Sequence, residues 1–87
     1  MKDIIYKKRF EELISTLLEM ESKEQMRDFI KGILTPKELK EIPTRLAIIK
    51  MLKQKIIQRK IAEELKVGIA TVTRGSRELN KDSFRYI

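Results

Sequence analysis

The side chains with most to offer chemically lie between Gln58 and Arg74. Gln58 and Arg59 open one short apolar pattern. Gly68 opens a second, which carries Ile69, Ala70, Thr71 and Thr73. Amides, guanidinium groups and hydroxyls hydrogen-bond to phosphate oxygens and base edges, and the methyls of Ile and Ala pack on the methyl of thymine. This is recognition chemistry rather than bond-making chemistry. The chain has no Cys and no His, which removes thiolate and imidazole catalysis, disulfides and the usual zinc ligands. Its three glycines form no Gly-rich run that would cradle a phosphate, and no acidic cluster suggests a metal site. An enzyme is not expected.

The spacing around these residues is that of two short helices joined by a tight turn. Ile61, Ala62 and Leu65 share one helical face, and Ala62 is small enough to let a second helix cross closely. Gly68 stands where the second helix begins, and Val72, three residues after Ile69, points back to the first. Such a helix-turn-helix places its second helix in the DNA major groove while the first crosses the phosphate backbone. Gly68, Ile69, Ala70 and Thr73 then fall at the groove with Thr71 beside them, and Gln58 and Arg59 face phosphate or an outer base. Thr73 can hydrogen-bond either a base or a phosphate.

Charge agrees with this reading. The net charge is +7, but residues 1–33 carry seven basic and seven acidic side chains, whereas residues 34–87 carry thirteen basic against six acidic. The whole excess lies in the part that holds the motif, as expected where cations displace counterions from a polyanion.

Eighty-seven residues bound the chain to one small domain. The N-terminus shows no secretory signal and no apolar run reaches membrane-spanning length, so a soluble cytoplasmic protein without a membrane partner is expected. The elements that must position the motif read as helices throughout, giving an all-α fold of five helices. Phe10, Leu13, Ile14, Leu17 and Leu18 make an amphipathic helix from about Ile4 to Met20 or Glu21. Ser22 with Gln25 reads as a capping box for a second helix striped by Met26, Phe29, Ile30 and Ile33. Thr35-Pro36-Lys37-Glu38 opens a third, in which Leu39, Ile42, Leu46, Ile49, Leu52 and Ile56 form a long buried seam. Pro43 predicts a kink or break near Ile42. Lys53 to Ile57 connects to the motif, and after Asn80 only Phe84, Tyr86 and Ile87 can anchor the tail.

Residues 1–34 are therefore read as dimerisation helices, 35–80 as a long core helix with the reading head, and 81–87 as a short tail. The first two helices carry wide apolar stripes that so small a chain has little interior to hide. A homodimer, with the helices intertwined, would cover them and supply paired reading heads; the alternative is a compact five-helix monomer.

From Leu34 to Leu79 the chain resembles the Trp repressor family. The matching segments are Leu34-Thr35-Pro36, Thr44-Arg45, Gln58-Arg59 and, above all, Gly68-Ile69-Ala70-Thr71-Val72-Thr73-Arg74-Gly75-Ser76. The resemblance implies an intertwined all-helical homodimer, a double-stranded DNA operator and L-tryptophan as corepressor. It places Arg45 and Arg74 on either side of the indole ring, Thr35 near the ligand carboxylate and Gly75 beside the ring. A guanidinium plane both stacks on an aromatic face and pairs with a carboxylate, so the carry-over is chemically sound. Arg45 could instead pair with Glu41 or Glu38, and Arg74 could contact phosphate.

Lys66 occupies the left-handed turn position where helix-turn-helix motifs usually have Gly. Three departures are from the family. Glu78 replaces a serine near the ligand ammonium, where it could pair with that ammonium or fill the pocket by binding Arg74. The connector before Gln58 is one residue shorter, and the family's next helix finds no counterpart before Ile87. The reading is a repressor gated by L-tryptophan or a similar amino acid. The alternatives are a ligand-independent regulator of the same fold and a basic helical module that binds RNA or an acidic protein.

Overall fold

The computed structural model describes residues 2–87; Met1, the first residue of the segment expected to dimerise, lies outside the described residues. The chain divides into two compact units, residues 1–35 and 36–87. The first holds α1 (Lys2–Leu18) and α2 (Lys23–Ile33). The second holds α3 (Pro36–Lys53), α4 (Gln58–Leu65), α5 (Ile69–Leu79) and a 3-10 turn at Asp82–Phe84. Among the described residues there is no strand, and the fold is all-α as the periodicities predict.

In the first unit α1 ends at Leu18, before the predicted Met20 or Glu21, where the N–H groups of Glu19 and Met20 close a turn on the Thr16 and Leu17 carbonyls. Ser22 caps α2 by accepting the Gln25 N–H at 3.1 Å. The return bond of the box lands one residue early: Gln25 Oε1 accepts from the Glu21 N–H at 2.9 Å rather than from Ser22. No described residue of this unit is buried, and Phe10 and Leu18 remain 46% and 81% exposed.

The second unit is built on α3, which Pro36 opens. The break expected at Pro43 is absent, and the helix runs through it. Proline costs this helix the one bond that would fall on the Leu39 carbonyl. Its ring lies on an exposed side, and Thr44 Oγ1 adds a bond to the Lys40 carbonyl at 2.8 Å.

The single buried seam also needs correction. Ile48 and Ile49 are fully buried, whereas Ile42 and Leu46 are 42% and 44% exposed. Two faces were merged in that pattern. Ile48, Met51 and Leu52, at i, i+3 and i+4, meet α4 and α5, while Leu39, Ile42 and Leu46 follow a different strip. The core is Ile48, Ile61 and Val72, ringed by Met51, Leu52, Ile56, Ala62, Leu65 and Val67.

Two left-handed lysines shape the reading head. Lys55 has φ 63°; its N–H reaches the Leu52 carbonyl and that of Ile56 the Met51 carbonyl, which closes α3 and drops Ile56 onto the core. Lys66 has φ 56° and ψ 45°, and the N–H groups of Lys66 and Val67 both reach the Ala62 carbonyl. The chain thus turns into α5 with a lysine where glycine is the easy choice.

Tyr86 and Ile87 are exposed, and the Tyr86 ring meets the neighbouring Arg85 guanidinium 4.8 Å from its centroid. The tail is held by the half-buried Phe84 ring and by Lys53, whose Nζ donates to the Phe84 and Ile87 carbonyls.

Candidate functional site

Helix α5 presents three faces, each with its own chemistry. Val72 and Gly75 are buried against the core. A Cβ on Gly75 would lie 2.8 Å from Ile48 Cγ2, so α5 crosses α3 at a distance that only glycine permits. The space that Gly75 leaves is filled by Ile48 on this side.

A second face carries Ile69, Ala70 and Arg77, all exposed, with the half-buried Thr73 among them. This is the surface the sequence assigned to DNA. Its neighbour is the start of α4, with Gln58 half-buried and Arg59 exposed. The two helices are tied there: Thr73 Oγ1 lies 2.8 Å from Gln58 Oε1 and 3.0 Å from the Ile69 carbonyl, and its single proton is shared between the two acceptors. The Thr73 hydroxyl is therefore engaged within the protein rather than directed outward. Gly68 caps α5 with φ −69° and ψ 149°, which any residue adopts, and a Cβ there would meet nothing within 4 Å. Neither backbone nor packing requires glycine at 68; it leaves the N-terminal end of α5 uncovered.

The third face carries Thr71, Arg74 and Glu78, at i, i+3 and i+7. They line a cavity of about 730 Å³ against Lys40, Glu41, Thr44, Arg45, Ile48 and Ile49 of α3, completed by Gly75, Val67 and Phe84. Thr71 is thus a wall of this cavity, one helical face away from Ile69 and Thr73. Arg45, Arg74, Gly75 and Glu78 are brought together as a group. Thr35 belongs to the first unit, and the cavity is built from the second alone.

The cavity lining carries three cations, Lys40, Arg45 and Arg74, and two carboxylates, Glu41 and Glu78. Glu78 accepts from Lys81 at 3.1 Å, and Glu41 pairs with Lys37 at 3.7 Å. Among the described residues no ion pair engages Arg45 or Arg74, so the suggested Arg45–Glu41 and Arg74–Glu78 pairs are not formed. A lining that combines the Arg45 and Arg74 guanidinium groups with the apolar Ile48, Ile49 and Phe84 suits a flat apolar body that carries a carboxylate.

Phe84 and Arg77 were missed from sequence. Arg77 could have been found, since it follows Thr73 by four residues on the reading face. Nothing in the tail's composition indicated that Phe84 would reach the cavity. Among the described residues no group of acidic side chains is placed to hold a metal ion, and no helix is long and apolar enough to cross a membrane.

The family model described as Trp repressor protein matches residues 8–86. The Trp operon repressor homolog of Vibrio campbellii is 32% identical over 77 residues, covering 87% of this chain and 77% of its own. That of Vibrio parahaemolyticus is 37% identical over 73 residues, covering 83% and 68%. That of Photobacterium profundum is 42% identical over 69 residues, covering 77% and 67%. The match runs through α1 to the 3-10 turn and so takes in the helix-turn-helix and the arginine-lined cavity together: the chain belongs to the Trp repressor family.

Proposed function

We propose that this DNA-binding transcriptional repressor acts as a homodimer, reads a double-stranded operator with α5, and takes L-tryptophan or a similar amino acid as corepressor. The observation that carries the proposal is the position of Arg45 and Arg74. They line one cavity between α3 and α5, and the exposed Ile69 and Ala70 stand on another face of the same helix. A ligand wedged between Arg45 of the core helix and Arg74 of the reading helix would fix the angle of α5. Ligand occupancy and DNA affinity would then be linked reciprocally.

The dimer is supported by the apolar surface left open. Phe10, Ile14 and Leu18 on α1, and Ile42 and Leu46 on α3, are all exposed. Apolar area of this kind is rarely left in water, and a second copy of the chain is the partner that symmetry makes simplest.

Ligand fluorescence provides the test. The chain has no Trp, so all indole emission belongs to added L-tryptophan. Saturable binding at one site per chain, lost in Arg74→Ala, is the expected result. Absence of binding at millimolar ligand would refute the gating. A second reading, regulation without this ligand, is favoured by Glu78, whose carboxylate stands at the cavity and is already paired with Lys81. DNA reading is tested separately: the protein should prefer one duplex over random DNA by several orders of magnitude. Strong salt dependence without such preference would point instead to a basic module for RNA or an acidic protein.

A further inference from the structure

Among the described residues, one side-chain hydrogen bond joins α4 to α5, from the first residue of α4 to the second turn of α5. Thr73 Oγ1 meets Gln58 Oε1 at 2.8 Å in a half-buried position. The same proton is shared with the Ile69 carbonyl, 3.0 Å from Oγ1, which holds the hydroxyl against its own helix. Thr73 is β-branched and stiff about its first torsion, so the hydroxyl is an anchored donor rather than a free rotor. Gln58 is the opposite, a long side chain with several torsions to freeze before it can contact anything specifically. It is also the first residue of α4, where no side chain caps the helix: the cap position is Ile57, 69% exposed. Holding Gln58 by its oxygen leaves its Nε2 protons as the free end of the amide, a pure donor pair.

We propose that Thr73 is a positioning residue of the reading head: it holds the Gln58 carboxamide by Oε1 so that Nε2 faces outward as a preset donor to a DNA backbone phosphate. A phosphate is favoured over a base edge because the start of the first helix of such a motif crosses the backbone. There the positive end of the helix dipole also favours an anion. The inference rests on the DNA-reading function and adds to it that the two helices share one contact: Thr73 acts through Gln58 and not by touching DNA itself.

Two measurements test it. In the DNA-free protein, side-chain amide relaxation of Gln58 should report a rigid group in the wild type and in Thr73→Ser, and a mobile one in Thr73→Val. A Gln58 amide that is mobile in the wild type, or equally rigid in Thr73→Val, overturns the proposal whether or not the protein binds DNA. Binding is then measured on duplexes enriched from a random pool by the wild-type protein, and on unselected duplex. Thr73→Val and Gln58→Ala should each weaken binding about three- to tenfold, the scale of freezing one long side chain. The loss should be similar on both DNAs, the double variant should be no weaker than Gln58→Ala, and Thr73→Ser should restore affinity. Additive losses overturn the coupling, and a loss confined to the enriched duplex overturns the phosphate assignment. If no duplex is enriched, the DNA-reading function and this inference fall together.

Discussion

Gly75 and Ile48 are a matched pair: a Cβ on the glycine would sit 2.8 Å from the isoleucine's Cγ2, with Leu52 Cδ1 a further 0.9 Å out at 3.7 Å. Cγ2 is a branch methyl next to the backbone, on a fully buried residue, and has no room to swing aside. The reading helix is therefore seated on the core helix at a point where a single methyl decides the spacing. Gly75→Ala is expected to destabilise the protein by about 1–3 kcal/mol, the usual cost of forcing an extra methyl into a packed contact. Chemical denaturation measures this directly. The steric explanation further requires that Ile48→Ala cost less in the Gly75→Ala background than in the wild type; a strictly additive double variant would contradict it.

Lys66 makes the opposite prediction. Its φ of 56° and ψ of 45° put a Cβ-bearing residue in the left-handed region, at a cost of about 1–2 kcal/mol. Lys66→Gly removes that cost and adds chain entropy to the unfolded state, so the net gain should be about 0.5–1 kcal/mol. The unfolding midpoint should rise with an unchanged denaturant slope. A lowered midpoint would mean that the lysine side chain contributes something its exposed position does not suggest.

These two positions also mark what the sequence could disclose. The turn at Lys66 and the crossing of Ile61 and Val72 were legible because helix periodicity and a left-handed turn are local properties. The cap at Ser22 was legible for the same reason. The face of α3 that meets the reading head was not. Ile42, Leu46, Ile48 and Ile49 are alike in hydrophobicity, and only tertiary packing decides that Ile48 rather than Leu46 is enclosed. Pro43 misled because a proline removes one hydrogen bond but does not end a helix when its ring lies on an exposed side. At the site, Arg45, Arg74, Gly75 and Glu78 came together in one cavity. Phe84 came to it through a tail held by Lys53, a contact separated by about thirty residues that no local pattern encodes.

The homodimer predicts a definite response to a charge on α1. Phe10 is 46% exposed and stacks on Tyr6 with ring centroids 6.1 Å apart, so the two rings make one apolar patch. Phe10→Glu is expected to shift the protein toward monomer in sedimentation equilibrium, by about 2 kcal/mol or more for an aromatic anchor. Because no described residue of the first unit is buried, its helices have little packing of their own, and their circular dichroism should weaken as the dimer dissociates. An unchanged dimer would place the interface elsewhere, and a wild-type monomer would refute the dimer altogether.

Lys81 offers the sharpest test of what the cavity accepts. Its Nζ stands 3.1 Å from Glu78 Oε1, and an amino-acid ligand lying between Arg45 and Arg74 would bring its own ammonium to compete for that carboxylate. The Glu78 and Lys81 side chains are 46% and 64% exposed, so water and salt screen the pair and its rupture costs little. Lys81→Ala should therefore tighten L-tryptophan binding by no more than about fivefold, the equivalent of about 1 kcal/mol. Indole-3-propionate, which has the ring and carboxylate but no ammonium, should bind the variant and the wild type alike. Glu78→Gln should weaken tryptophan and spare indole-3-propionate. If Lys81→Ala instead strengthens both ligands equally, Lys81 blocks the cavity by bulk and Glu78 plays no part in recognising the ammonium. If Glu78→Gln strengthens tryptophan binding, the carboxylate acts as an obstacle in the cavity, and the protein is built for a ligand without an amino group.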